Sequence, residues 1–114
     1  MKKQPAELEG MMTMLELARE LQMLKTTLEY YWTQGLIKPS AIRIMGWGDV
    51  ITDATIIHDP EALKNLGKRY QFYFDVEKTS ERIKKIQYLQ KEQRLSIKEI
   101  QKYFHVGKNP VRKG

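Results

Sequence analysis

A chain of 114 residues with net charge +6 is long enough for one domain with a real core and too short for two ordinary ones. It holds no cysteine, which excludes disulfides and thiolate metal sites. Residues 1 to 10, MKKQPAELEG, lack the apolar run of about 7 to 15 residues of a secretory signal, and no segment approaches the roughly 20 apolar residues of a membrane span. A soluble, cytoplasmic protein is expected.

Residues 12 to 39, MTMLELARELQMLKTTLEYYWTQGLIKP, read as two short helices. Thr13 and Glu16 have the spacing of a capping box, in which hydroxyl and carboxylate each satisfy a backbone N–H at a helix start. Met14, Leu17, Ala18 and Leu21 follow at helical spacing and form one face. Leu24, Leu28 and Tyr31 form a second. Thr26 with Glu29 offers a cap for that helix, Gly35 sits where a left-handed residue ends it, and Pro39 blocks its continuation. Each helix spans two or three turns, too short to persist alone in water, so the pair requires a third packing element.

Beyond Pro39 the pattern changes to β. Ala41 to Met45 and Val50 to Ile57 are rich in β-branched residues and flank Gly46-Trp47-Gly48-Asp49, which predicts a hairpin with a glycine-bearing turn. Asp59 and Pro60 then predict a short helix, capped by the aspartate with proline at its first position. Gly67 to Tyr70 and the aromatic run Gln71 to Phe74 predict a further strand. Residues 81 to 104, ERIKKIQYLQKEQRLSIKEIQKYF, predict two more helices, the second opened by a Ser96–Glu99 capping box and carrying Ile97, Ile100 and Phe104 on one face.

The first and last of these blocks resemble the MerR family of DNA-binding proteins. Residues 12 to 39 align without a gap to that family's pattern Y-T-I-x-E-L-A-x-x-x-G-V-S-x-x-T-L-R-Y-Y-E-x-x-G-L-L-K-P, placing Thr13, Glu16, Leu17, Ala18, Thr27, Leu28, Tyr30, Tyr31, Gly35, Leu36, Lys38 and Pro39 on like residues. Residues 81 to 104 are similar to the family's third and fourth helices, with Arg94-Leu95-Ser96-Ile97-Lys98-Glu99-Ile100 at their junction. Together the blocks cover about half of the chain. The resemblance implies a mainly α fold with a small β wing, a winged helix-turn-helix whose wing carries an inserted β-hairpin and short helix. It divides the chain into an N-terminal extension (1–11), a single winged-helix domain (12–106, with the insertion at 41–66) and a basic tail (107–114).

Two departures bear on function. Gln22, Met23 and Leu24 stand where the family has Gly-Val-Ser at the turn, and Glu29 replaces the arginine that usually faces phosphate. Residues 25 to 34 carry one Lys and one Glu, hence no net charge. Charge is divided along the chain. Residues 1–62 hold six Lys/Arg against nine Asp/Glu, a balance of −3; residues 63–114 hold fourteen against five, a balance of +9. Lys78, Arg82 and Lys85 fall on one helical stripe, and Lys84, Tyr88 and Lys91 on another, as a solvated helix face also would.

The resemblance implies a sequence-specific, double-stranded DNA-binding regulator of transcription, associated with the nucleoid. Thr26, Thr27 and Tyr30 are then expected at the major groove and Lys25, Lys38, Arg43, Lys68 and Arg69 at phosphates. Two alternatives use the same scaffold: a protein-interaction adaptor like the chaperone-modulator group, favoured by Glu29 and the apolar insertion, and an excisionase-like architectural factor that bends DNA. No cofactor, metal or membrane is expected, and no motif for catalysis stands out. About ten residues follow Phe104, too few for the family's coiled coil, so any homodimer must use another surface. His58 beside Asp59, Trp47 and the six methionines are read as structural.

Overall fold

The computed structural model describes residues 6–45, 48–67 and 69–107. Six α-helices and four strands occur among them, in the order β1 (Met11–Met12), α1 (Met14–Leu21), α2 (Lys25–Thr33), β2 (Ala41–Ile44), β3 (Val50–Ile51), α3 (Ala54–Ile57), α4 (Pro60–Asn65), β4 (Tyr70–Asp75), α5 (Val76–Lys91) and α6 (Ile97–Phe104). A single 3-10 turn, Ala6–Leu8, precedes them. Among the described residues no helix is long and apolar enough to cross a membrane.

Capping chemistry sets most of the helix starts. Thr13 N–H donates to Glu16 Oε1 at 3.0 Å while Glu16 N–H donates to Thr13 Oγ1 at 3.3 Å, the reciprocal box expected for α1. Ser96 and Glu99 repeat it at α6, at 2.8 and 3.2 Å. Asp59 caps α4 with Pro60 at its first turn. At α5 the carboxylate of Asp75 accepts from Lys78 N–H at 2.8 Å.

The second helix starts differently from expectation. Its cap residue is Leu24, which makes no side-chain cap bond, and Thr26 lies inside the helix. Glu29 turns instead to Lys25, 3.7 Å away, so the Thr26–Glu29 cap does not form. Leu24 accordingly leaves the apolar face and is 72% exposed, while Leu28 and Tyr31 stay buried.

Left-handed residues close three helix ends. Gly35, φ 77°, ends α2: its N–H donates to the Trp32 carbonyl, and Leu36 N–H to that of Tyr31, both at 2.9 Å. This is the Schellman arrangement, which satisfies otherwise orphaned carbonyls. At α1 the same arrangement is made by Gln22, φ 54°, and at α6 by His105, φ 58°. Neither is glycine, so each holds a conformation that crowds its Cβ.

The antiparallel sheet has the order β1-β4-β2-β3. Ile42 pairs with Phe72 and Arg43 with Gln71, which fixes alternation between the two faces. One face carries Ile42, Phe72 and Phe74. Phe74 joins the main cluster formed by α1, α2, α5 and α6 through residues such as Leu17, Leu28, Ile86 and Ile100, each fully buried. Burying one such side chain contributes about 1.5–3 kcal/mol, and this shared burial supplies the third element that the short α1 and α2 require. Ile42 itself belongs to a separate cluster with Ile57 and Leu63, from α3 and α4.

The chain between β2 and β4 differs from the expected hairpin plus one helix. Strand β3 is two residues long, and Asp53 then caps a helix at Ala54–Ile57 through Thr55 N–H (2.9 Å) and Thr55 Oγ1 (2.6 Å). The local carboxylate bonds override the β-branched composition. The turn residues Gly46 and Trp47 lie outside the described residues. Packing also begins ahead of residue 12. Leu8 is fully buried against Ala41 and Tyr73, and Met11 pairs with Asp75 in the sheet.

Candidate nucleic-acid interface

Helix α2 turns Leu28 and Tyr31 inward and leaves Lys25, Thr26 and Tyr30 exposed, with Thr27 half-buried. Tyr31 is anchored by its hydroxyl, which donates to Gln90 Oε1 at 3.2 Å. Burial, then the neighbouring Tyr30, pushes the Tyr31 phenol pKa upward, so it stays a neutral donor. Tyr30 remains 47% exposed. The Lys25–Glu29 pair is partly solvated and spaced i,i+4, a contact worth about 0.3–0.5 kcal/mol. Its main consequence is electrostatic: the carboxylate cancels the only cation on this helix.

The strand β4 lies beside that face. A groove of about 330 Å³ is lined by Lys25, Glu29 and Trp32 on the helical side and by Tyr70, Gln71 and Phe72 on the strand. Trp32 packs on Phe72 with ring centroids 5.3 Å apart, and its indole N–H is buried without a partner. A second hollow, about 340 Å³, is lined by Met45, Arg69, Tyr70 and Gln71. The two share Tyr70 and Gln71, so Lys25 and Arg69 stand on adjoining depressions. Arg43 faces Gln71 across the β2–β4 ladder, and its guanidinium lies over the turn: a Cβ at Gly48 would come 3.6 Å from Nη2. The Met45 N–H to Arg69 carbonyl bond, 2.8 Å, continues the ladder toward that end.

The sequence-derived contact set therefore divides. Lys25, Thr26, Thr27 and Tyr30 share α2 and Arg69 borders the adjoining hollow, whereas Arg43, paired with Gln71, belongs to the sheet face opposite Phe72 and Phe74 because side chains alternate along a strand. Lys68 lies outside the described residues. Lys38 is placed apart, in a cavity with Lys78 and Arg82 that shares no residue with the two hollows. His58 lies near enough to Lys38 for its pKa to fall below the usual imidazole range, first through desolvation and then through the lysine charge.

The Lys78, Arg82 and Lys85 stripe, by its spacing either a polyanion contact or a solvated helix face, is split in the structure. Arg82 stacks on Phe104, its guanidinium carbon 3.9 Å from the ring centre. Lys85 instead stands over Tyr88 and Tyr103, at 5.2 and 5.4 Å. Helical spacing placed the two cations together; the packing of α6 against α5 separates their surroundings. Among the described residues no group of three or more His, Cys, Asp or Glu could hold a metal ion. Comparison of the chain with protein-family models, curated proteins and solved structures finds no match.

Proposed function

We propose that this protein is a sequence-specific DNA-binding regulator of transcription on a MerR-like winged helix-turn-helix, with α2 as the reading helix and the β2–β4 ribbon as the wing. The adjacency of Lys25 on α2 to Arg69 across Tyr70 and Gln71 carries the reading. A helix that reads base edges needs polar side chains free of the core, and Thr26 and Tyr30 meet that need. A flanking ribbon with a cation fixes register on phosphates without reading sequence, the role given to Arg69. Lys25 contributes less than a free lysine because Glu29 neutralises it.

The test is a gel-shift titration over salt, with duplexes selected from a random pool. Binding through phosphates makes the logarithm of affinity fall with log salt at a slope of about −0.9 per phosphate neutralised. Arg69→Glu should weaken all duplexes alike, whereas Thr26→Ala should relax the selected sequence. A flat salt response, or retention unchanged in the Lys25→Glu/Arg69→Glu double variant, would overturn the assignment.

A protein-interaction adaptor is the second reading, and specific observations favour it. Leu15, Leu24 and Tyr30 are 46%, 72% and 47% exposed around the neutralised Lys25–Glu29 pair. Exposed aliphatic and aromatic groups beside a charge-neutral face suit a protein surface. Under this reading Leu24→Glu abolishes partner capture and leaves DNA retention at background in every variant.

A further inference from the structure

The cavity holding Lys38 is chemically distinct from the α2–β4 groove. It measures about 180 Å³ and lies between the 35–40 segment, α5 and Val106. Lys38, Lys78 and Arg82 line it together with Ser40 and Thr79, and no carboxylate lines it among the described residues. Lys25–Glu29 is the ion pair found among those residues, and none of the three cavity cations takes part in it.

Arg82 is the best-defined of the three. Its guanidinium carbon lies 3.9 Å from the centre of the Phe104 ring, and Nη1 is buried with no hydrogen-bond partner. Desolvation pushes its pKa below the ordinary arginine value. A partly desolvated cation without a counter-charge is unfavourable, and a bound anion relieves it. Thr79, only 5% exposed, offers a hydroxyl-bearing side chain in the wall of the same cavity.

We infer that this cavity binds a single phosphate group, held by Lys38, Lys78 and Arg82 with Ser40 and Thr79 as hydroxyl donors. The donor set favours a tetrahedral oxyanion over a carboxylate. Three cationic groups and two hydroxyls offer more donors than two coplanar oxygens can accept, while four oxygens directed to the corners of a tetrahedron can use them. The space is ample, since a cavity of about 10–15 Å³ on this measure already admits one water. The cavity shares no residue with the Lys25–Arg69 surface, so failure of that surface to bind DNA leaves this inference standing. The phosphate source is either a free phosphate or ester, or a nucleic-acid backbone.

The experiment is thermal unfolding of the full chain in sodium phosphate and in sodium chloride at matched ionic strength and pH. The wild type is compared with Lys38→Gln/Lys78→Gln, which changes two exposed side chains and spares Arg82. Phosphate should raise the wild-type Tm above the chloride value by mass action, and the variant should lose that increment. Direct titration by isothermal calorimetry should show apparent affinity falling about tenfold or more for each cation removed. Amide NMR shifts on adding inorganic phosphate should centre on Ser40 and Thr79. An equal increment in wild type and variant would mark exclusion of phosphate from the whole surface and overturn the inference, as would no increment in either. A short duplex added to the phosphate-bound protein distinguishes the sources. Displacement of phosphate at Ser40 and Thr79 identifies a backbone group, and retention identifies a free one.

Discussion

Replacing Gly35 by alanine should destabilise the fold more than its single added methyl suggests. Two costs combine there. Gly35 has φ 77°, and an L-residue in the left-handed region costs about 1–2 kcal/mol. Its Cβ would also overlap the carbonyl oxygen of Gly107, a backbone atom that cannot rotate aside. Forcing extra volume into a filled site typically costs about 1–3 kcal/mol, so Gly35→Ala should lose about 2–5 kcal/mol, or about 10–20 °C in Tm for a chain of this size. Gly67→Ala is the matched control. Gly67 has φ 60°, and a Cβ added there would meet nothing within 4 Å, so it incurs the conformational cost alone, about 1–2 kcal/mol. Urea denaturation of both variants, with m-values to check that the unfolded state is unchanged, separates the two contributions. Equal losses at the two positions would refute the close approach of residue 107 to the end of α2.

Two further outcomes follow from the helix ends. Gln22→Gly should stabilise the protein by about 0.5–1 kcal/mol, because glycine adopts the left-handed conformation without the Cβ penalty; a lower denaturation midpoint would contradict the assigned geometry. Glu99 should impart acid sensitivity to α6. Its pKa lies below the ordinary carboxylate value, chiefly because Ser96 N–H donates to it, then through the Ser96 side chain and Lys102. With the folded pKa depressed, the unfolded chain binds more protons across the interval, so the contribution is present above the unfolded value and is lost as pH falls through the folded one. Glu99→Gln keeps a capping side chain without the charge. The Tm gap between wild type and variant should close as pH falls below the ordinary glutamate range, and a gap constant with pH would refute the assignment.

The features legible in the sequence are those decided within a few residues. The Thr13–Glu16 and Ser96–Glu99 boxes, the Asp59–Pro60 start and the Gly35 stop each involve groups at most a turn apart, and the structure has all of them. Misreadings arose where two local signals competed. Val50 to Ile57 has strand composition, yet Asp53 bonds to Thr55 and turns its second half into a helix. Thr26 and Glu29 have capping spacing, yet the helix had already begun at Lys25, where Glu29 found an opposite charge. Features that depend on distant chain segments had no local signal. Nothing in the residues around Arg82 marks Phe104 as its stacking partner or Lys38 as its neighbour across a cavity. Leu8, in a polar stretch, likewise gives no sign of the pocket that Ala41 and Tyr73 make for it.

The clasp between α2 and α6 also constrains how the protein is made. Gln101 Nε2 donates to the Gln34 carbonyl at 2.8 Å, a bond between residues 67 positions apart, and Ile100 and Val106 pack into the cluster that Leu17 and Leu28 begin. Translation runs from the amino end, so α1 and α2 leave the ribosome with their apolar sides uncovered and wait for a partner 67 positions further on before those sides are sealed. Short helices of this kind have little persistence of their own. Nascent chains that stall ahead of α6 should thus be better targets for chaperones and proteases than chains that include it.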